Sequence, residues 1–256
     1  MQNLLLKSDE LSLYNLQVTE KNMKKIFLLV VAAICCLTTT AQDKVELDVA
    51  ADLVSHYIWR GQELGKVSVQ PALDLSYKGF SFSAWSNIGL SRHEDTEEFD
   101  LTLAYSIAGF NIGLTDYWTS GGGDPRDRYF MYESHRTNHV FELNLGYDFG
   151  FASLQAYTNL MGNDGVNKKG NRAYSTYVEA TVPFRLASCD WEAAAGCVPM
   201  ATDYYATSGF AVTNLSVKAT KDIKITDSFS IPIYAQLVGN PCDQRAYFLV
   251  GFTLKP

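Results

Sequence analysis

Positive charge, cysteine and helical periodicity are scarce in this chain, and each scarcity excludes a class of protein. Lys and Arg number 21 against 28 Asp and Glu, and a chain this acidic is a poor nucleic-acid binder. No segment shows the 3.6-residue apolar period of an amphipathic helix. With only 7 prolines but 15 tyrosines and 14 phenylalanines in 256 residues, the composition favours β-strands. No shift in composition marks a boundary between domains.

Long hydrophobic runs are missing too, apart from one near the N-terminus. From Met23 the chain reads MKKIFLLVVAAICCLTTTAQ, with two lysines, about a dozen apolar residues and small residues before an expected cleavage site. This pattern predicts a secretory signal peptide over residues 23–41, and its apolar run is too short to span a bilayer comfortably. We expect residues 1–22 to be an upstream extension without a role in the fold, and residues 42–256 to form a single domain.

The cysteines permit few covalent links. Cys35 and Cys36 follow the apolar run, which leaves a lipoprotein as an alternative, although the residues before them match a lipid-attachment site poorly. Three cysteines remain after residue 41, so at most one intramolecular bridge can form. In the topology given below, Cys197 and Cys242 fall at long-loop ends and Cys189 on the short-turn side. The candidate disulfide therefore joins Cys197 to Cys242.

The dominant period after Gln42 is two residues. The segment FDLTLAYSI from Phe99 places Phe, Leu, Leu, Tyr and Ile on one face and Asp, Thr, Ala and Ser on the other, as in a strand with one apolar face. The same alternation recurs in VELDVAADL, FELNLGYDF, YSTYVEATVPF, FSIPIYAQL and AYFLVGFTL. Together with less regular segments, these predict an all-β fold of about twelve strands.

The connections between the strands alternate in length. Tight turns are predicted at Lys78-Gly79, Ala108-Gly109 and Phe149-Gly150, and longer loops at residues 91–96, 119–137 and 161–172. Short turns at one end and long loops at the other are typical of an up-and-down meander of antiparallel hairpins. This is the plan of a transmembrane β-barrel of the outer membrane, with short turns and both termini in the periplasm.

The second face of the strands distinguishes a membrane barrel from a soluble one. It is acidic, rich in small residues and poor in lysine, whereas a solvated exterior normally mixes both signs of charge. This composition favours a hydrated lumen with the apolar face toward lipid. The candidate pore-lining residues are Asp48, Asp52, Arg60, Asp74, Asp100, Glu142, Glu179 and Glu192.

The stretch HYIWRGQ at residues 56–62 lies at the end of the first predicted strand. Tyr57 and Trp59 share one face, and we expect them to be interface aromatics that meet lipid headgroups. Arg60 then points toward the pore mouth, near strand acids such as Asp52 and Asp74.

The segment from Ser55 to Trp85 resembles the N-terminal part of the TorF-like family of porins. That family tends to show a strand of the type S-x-Y-x-x-R-G, then a polar loop, a Q-P element and a hairpin ending in Trp. The matching residues here are Ser55, Tyr57, Arg60, Gly61, Gln70, Gly79, Phe80 and Trp85. The resemblance implies an outer-membrane barrel and supplies no catalytic residues.

The sequence offers little for catalysis or for metal binding. His135 and His139 have i, i+4 spacing but lie between a loop and a strand, where this spacing does not bring both side chains together. Ser134 adjoins His135 without the glycine pattern of a nucleophile elbow. The loop that contains SGGGDPRDR is expected to be external, although such a loop can also fold into a channel. We predict no enzyme activity and no cofactor.

These patterns predict an outer-membrane β-barrel of a Gram-negative cell that acts as a porin for small solutes or ions. Passive diffusion requires only a hydrated lumen whose charge biases passage, and an acidic lumen predicts a preference for cations. The expected partners are outer-membrane lipid and small solutes. Two alternatives stay open: a structural or adhesive barrel without a conducting pore, and a secreted soluble β-barrel that binds a ligand.

Overall fold

The computed structural model describes residues 44–90, 97–120, 126–133, 136–227 and 229–255. The predicted signal peptide and upstream extension lie outside the described residues, as do His93, Ser134 and His135. The described residues form fourteen strands and no helix. No helix in the described part of the chain is thus long and apolar enough to cross a bilayer.

The strands are numbered in chain order. Their bounds are β1 Glu46–Val54, β2 Tyr57–Trp59, β3 Gln62–Gly65, β4 Ser68–Tyr77, β5 Phe80–Gly89, β6 Glu97–Ile107, β7 Phe110–Ser120, β8 His139–Asp148, β9 Ser153–Gly162, β10 Thr176–Leu186, β11 Cys189–Val198, β12 Ala211–Lys224, β13 Ser230–Asn240 and β14 Arg245–Leu254.

Twelve of these strands close into one antiparallel barrel. Strand β1 pairs with β4 on one side and with β14 on the other, and every other barrel strand pairs with its neighbours in the chain. Strands β2 and β3 pair only with each other and form a separate hairpin. The prediction of an all-β, up-and-down barrel of about twelve strands is confirmed, and β2 and β3 are the two strands that it did not contain.

The tight turns follow the local sequence. Lys78 and Gly79 have φ angles of 50° and 85°, and Ala108 and Gly109 have 49° and 86°. Two successive residues with positive φ form a type I′ turn, whose twist matches that of a hairpin. Glycine at the second position meets this demand without steric cost. The barrel therefore has one end with short turns, here called the turn end, and a loop end opposite.

The outward face of the barrel is apolar. Leu103 and Ile107 on β6 are about 60% exposed, and so are Phe110 on β7 and Phe248 on β14. Every barrel strand except β11 exposes at least one large apolar residue, and β11 presents Trp191 and alanines on that side. Such a continuous band far exceeds the patches that soluble proteins leave in water. It is the exterior expected of a barrel that spans a membrane.

Aromatic rings gather on this exterior at the turn end. The ring centroids of Phe80 and Tyr105 lie 4.6 Å apart, those of Phe110 and Tyr147 lie 4.4 Å apart, and Phe149 packs against Tyr147 at 4.7 Å. Each pair joins adjacent strands or their turn, and the amphipathic tyrosines suit the headgroup level of a bilayer. These rings form an aromatic girdle at the turn end.

Candidate functional site in the barrel lumen

All the candidate pore-lining residues on barrel strands lie on the inward face. The strand registers place Asp48 opposite Asp74, and Glu192 opposite Lys218. Because side chains alternate between the two faces, the same parity brings Asp52, Asp100, Glu142 and Glu179 to the lumen. Arg60 also points inward, although from the β2–β3 hairpin and not from the wall. That these residues line a conducting pore stays a prediction.

The connection from β1 to β4 does not extend away from the barrel but folds into it. Its β2–β3 hairpin, residues 57–65, is here called the plug hairpin. At its tip Arg60 and Gly61 have φ angles of 51° and 84°, the same type I′ geometry as the tight turns of the wall. The Arg-Gly pair therefore marks a hairpin turn and not the end of a barrel strand.

The tip of the plug hairpin docks on strand β12 of the barrel wall. A Cβ on Gly61 would lie 1.8 Å from the carbonyl oxygen of Thr213 on β12, so only glycine permits this approach. The Asn240 side chain on β13 donates a hydrogen bond of 3.1 Å to the Gly61 carbonyl. The backbone of the hairpin tip thus lies directly against the backbone of β12, and the Asn240 side chain on the adjacent strand β13 holds it there by a hydrogen bond.

Arg60 lies inside the barrel and pairs with Glu142 on β8. Its Nη1 and Nη2 donate to the two carboxylate oxygens at 2.6 and 2.8 Å. The Glu142 side chain is completely buried and that of Arg60 is 8% exposed. Tyr117 on β7 donates to the same carboxylate at 2.9 Å, and the Tyr205 hydroxyl accepts from Nη1 at 2.5 Å. This is a bidentate ion pair shielded from water.

Three aromatic rings enclose the guanidinium. Its Cζ lies 4.3 Å from the ring centroid of Trp59, 4.1 Å from that of Tyr157 and 4.9 Å from that of Tyr177. Ring faces attract cations at such distances. Burial by itself would lower the pKa of Arg60, but the Glu142 carboxylate and its hydrogen bonds more than reverse this and hold the pKa well above its usual value. Burial raises the pKa of Tyr205, so its hydroxyl stays protonated.

The predicted lipid contact of Tyr57 and Trp59 is wrong, because both side chains lie inside the barrel. Trp59 stacks on Tyr205, with ring centroids 5.8 Å apart and planes at 17°. The Tyr57 hydroxyl donates to Glu98 on β6 at 2.8 Å, and its ring packs against Trp85 on β5. The expected nearness of Arg60 to Asp52 and Asp74 is likewise replaced by the pair with Glu142.

Around the plug hairpin every barrel strand contributes a buried inward side chain. Each of these is less than a tenth exposed, and together they form what is called here the closing layer. Its members, one from each barrel strand in chain order, are Val54, Ser68, Asn87, Glu98, Thr115, Glu142, Asn159, Tyr177, Val198, Asn214, Val238 and Leu249. Because these side chains are nearly inaccessible to water, they and the plug hairpin fill the lumen at this level.

The lumen at the turn end has the opposite character. Glu46, Asp48 and Asp74 are all exposed, and the Ser83 hydroxyl donates to Asp74. On this wall Lys255 approaches Asp48 at 3.3 Å. On the opposite side of the barrel, acidic side chains have basic partners, as in the 2.8 Å contact between Arg185 on β10 and Asp190 on β11. The structure is a cup with an acidic wall at β1 and β4, open at the turn end and closed toward the loops.

The His139 side chain lies on the outer face of the barrel wall. Its Nδ1 lies 2.7 Å from an Asp116 oxygen and its Nε2 lies 2.5 Å from the Tyr129 carbonyl oxygen. Tyr132 stacks on the imidazole at 4.0 Å. Nδ1 thus fixes the imidazole to the neighbouring wall strand β7, and Nε2 together with the stacked Tyr132 holds residues 126–133 against the wall. Among the described residues, no three His, Cys, Asp or Glu side chains are grouped to hold a metal.

The candidate disulfide between Cys197 and Cys242 is not formed in the structure. All three cysteines after residue 41 are free thiols. Cys197 lies on β11 beside Val212 of β12, whereas Cys242 is in the turn between β13 and β14. Strand β12 therefore stands between the elements that carry the two thiols.

One signal in the sequence pointed to the inward hairpin. Ile58 shares a face with His56 and Arg60, so the HYIWRGQ stretch is apolar on both faces, unlike a strand between lipid and water. In the structure Ile58 packs against the buried cluster of Val54, Val238 and Leu249, while Tyr57 and Trp59 contact the opposite side of the lumen. A segment that buries both faces belongs in an interior.

Comparison with protein-family models gave no match, and neither did comparison with curated proteins, so the TorF-like resemblance stays a prediction. Among solved structures, outer membrane phospholipase A from Escherichia coli is similar, with 13% identity, a TM-score of 0.37, and coverage of 87% of this chain and 96% of that one. OmpF of Salmonella typhi in complex with daunomycin has 11% identity, a TM-score of 0.35, and coverage of 84% and 98%. Both likenesses are weak, and the barrel assignment depends on the strand register.

Proposed function

We propose that this protein is an outer-membrane channel for small cationic solutes, held closed at its outer end by the plug hairpin. The observation that carries the proposal is an apolar exterior around a lumen whose open end is lined by unequal charge. Glu46, Asp48 and Asp74 face that lumen with Lys255 as the cation beside them. Acidic side chains that line a pathway favour the passage of cations, whereas a barrel without a pathway has no use for such charge.

The orientation follows from the connections. Barrels of the outer membrane place short turns in the periplasm and longer loops outside. The acidic cup then opens toward the periplasm, and the closing layer lies near the external surface. In this arrangement the hairpin separates the vestibule from the outside, and passage requires its displacement.

A matched set of channel recordings tests the proposal. The protein and a variant in which a Gly-Ser linker replaces residues 57–65 are reconstituted in planar bilayers. We expect the full chain to be mostly closed and the linker variant to conduct steadily, with cations more permeant than anions. Adding Asp48→Asn and Asp74→Asn to the linker variant lowers the cation-to-anion permeability ratio, whereas Asp227→Asn, a fully exposed turn residue, leaves it unchanged.

A non-conducting structural barrel is the second candidate, and the closing layer favours it. If the linker variant folds into a heat-modifiable barrel and still passes no current, the barrel is structural. Anion selectivity in that variant would also overturn the proposed channel function.

A further inference from the structure

The groups that contact Arg60 come from three parts of the chain. Glu142, Tyr157 and Tyr177 belong to three consecutive barrel strands, β8, β9 and β10, and Tyr205, whose hydroxyl accepts from Nη1, lies in the loop between β11 and β12. Only Trp59 among the contacting rings belongs to the hairpin itself. If the hairpin leaves the lumen, the wall therefore keeps a carboxylate with aromatic faces beside it.

The chemistry of this wall fits one class of ligand. The two carboxylate oxygens of Glu142 receive two parallel N–H donors, at 2.6 and 2.8 Å, which is the fork geometry of a guanidinium. The rings of Tyr157 and Tyr177 present their faces to the delocalised charge. An ammonium group has a single nitrogen and cannot match both oxygens in this way.

We propose that the wall of the lumen around Glu142 is a binding site for small guanidinium compounds, and that Arg60 fills it as an intramolecular ligand in the closed state. The role of this site in opening rests on the proposed channel function, but binding does not. A free guanidinium compound competes with Arg60 for the same carboxylate and rings.

Competition of this kind favours release of the hairpin. Glu142 is fully buried, and with Arg60 withdrawn the Tyr117 hydroxyl is the one hydrogen-bond donor that the described residues still offer it. A buried carboxylate that loses its counter-ion is strongly disfavoured. A cation that takes the vacated place removes this penalty, and a ligand that binds only the open form shifts the population toward it.

The first test vacates the site. In detergent, Arg60→Ala is titrated with methylguanidinium and with methylammonium by calorimetry. We expect methylguanidinium to bind in the millimolar range and methylammonium about tenfold more weakly, because one charged hydrogen bond is lost. Adding Glu142→Gln to Arg60→Ala should abolish binding. The control is the single variant Arg128→Ala, which changes an exposed arginine outside the lumen and leaves Arg60 in the site, so it should not bind in that range. Equal binding of both cations, or binding that survives Glu142→Gln, overturns the proposal.

The second test uses the unaltered protein and is independent of the folding of any variant. Arg60 is 8% exposed, so trypsin cannot cut after it while the hairpin is docked. Methylguanidinium at non-denaturing concentration should increase cleavage between Arg60 and Gly61 about tenfold, and methylammonium should not. Unchanged cleavage with methylguanidinium contradicts the proposal. If methylguanidinium binds and increases cleavage but no current is seen in bilayers, the binding site is supported and the channel function is refuted. If current is seen but neither binding nor increased cleavage, the channel function is supported and the binding site is refuted.

Discussion

Gly61→Ala is the smallest change that should open the lumen. A Cβ at this position would lie 1.8 Å from the Thr213 carbonyl oxygen, so the tip and the wall must separate by roughly 1 Å or more. The residue must also keep a positive φ, which costs about 1–2 kcal/mol for an L-residue. A shift of this size displaces the adjoining Arg60 from its fitted position, where it makes bonds of 2.6 and 2.8 Å to Glu142, and such bonds weaken steeply as their geometry is lost.

The consequence is a weakened buried ion pair. Loss of one partner from such a pair costs about 3–5 kcal/mol, and even about 3 kcal/mol changes a two-state equilibrium on the order of a hundredfold. We therefore expect Gly61→Ala to raise the open probability in planar bilayers by about that factor. The barrel itself should still fold, since the plug hairpin pairs with no barrel strand.

Gly150→Ala is the matched control. Gly150 has a φ of +85°, and a Cβ there meets nothing within 4 Å, so this variant has the backbone penalty without the clash. It should leave channel closure unchanged. If Gly61→Ala and Gly150→Ala give the same conductance as the unaltered protein, the docked tip is not the barrier and the reasoning fails.

Three further changes test other parts of the structure. Leu103→Arg on the exterior should disfavour folding into lipid vesicles by about 2–4 kcal/mol, whereas Thr102→Arg on the inward face should cost much less; equal effects would refute the lipid-facing exterior. His139→Ala should speed tryptic cleavage within residues 126–133 without altering conductance. Unchanged cleavage would show that His139 does not hold these residues against the wall. Tyr57→Phe removes the donor to Glu98 at a cost of about 1–3 kcal/mol, so the open probability should rise, though less than in Gly61→Ala, and no rise would show this bond to be dispensable.

The barrel was predictable because its information is local. The two-residue period of FDLTLAYSI assigns a face to each side chain, and Lys78-Gly79 and Ala108-Gly109 specify type I′ turns from backbone preference alone. Repeated along the chain, these signals determine strands, turns and the polarity of each face. Closure into a barrel then follows, because an open sheet would leave unpaired edges in lipid.

The candidate site was predictable only in part. Alternation identified Glu142 and Glu179 as inward residues, but it could not reveal which of them meets Arg60, because 82 residues separate Arg60 from Glu142 in the chain. The Cys197–Cys242 pairing failed for a related reason, since loop-end position does not report how many strands stand between two thiols.

The sequence by itself therefore determined the twelve barrel strands, the type I′ turns between them, and which of their side chains lie on the outer or the inner face. Only the tertiary structure decided that the Arg-Gly hairpin enters the barrel. The physical reason is that a type I′ turn is equally well formed inside or outside, and its location depends on contacts with strands distant in the chain. The absence of a Cβ at Gly61, the buried carboxylate of Glu142 and the rings of Tyr157 and Tyr177 make the interior favourable, and these come together only when the barrel closes.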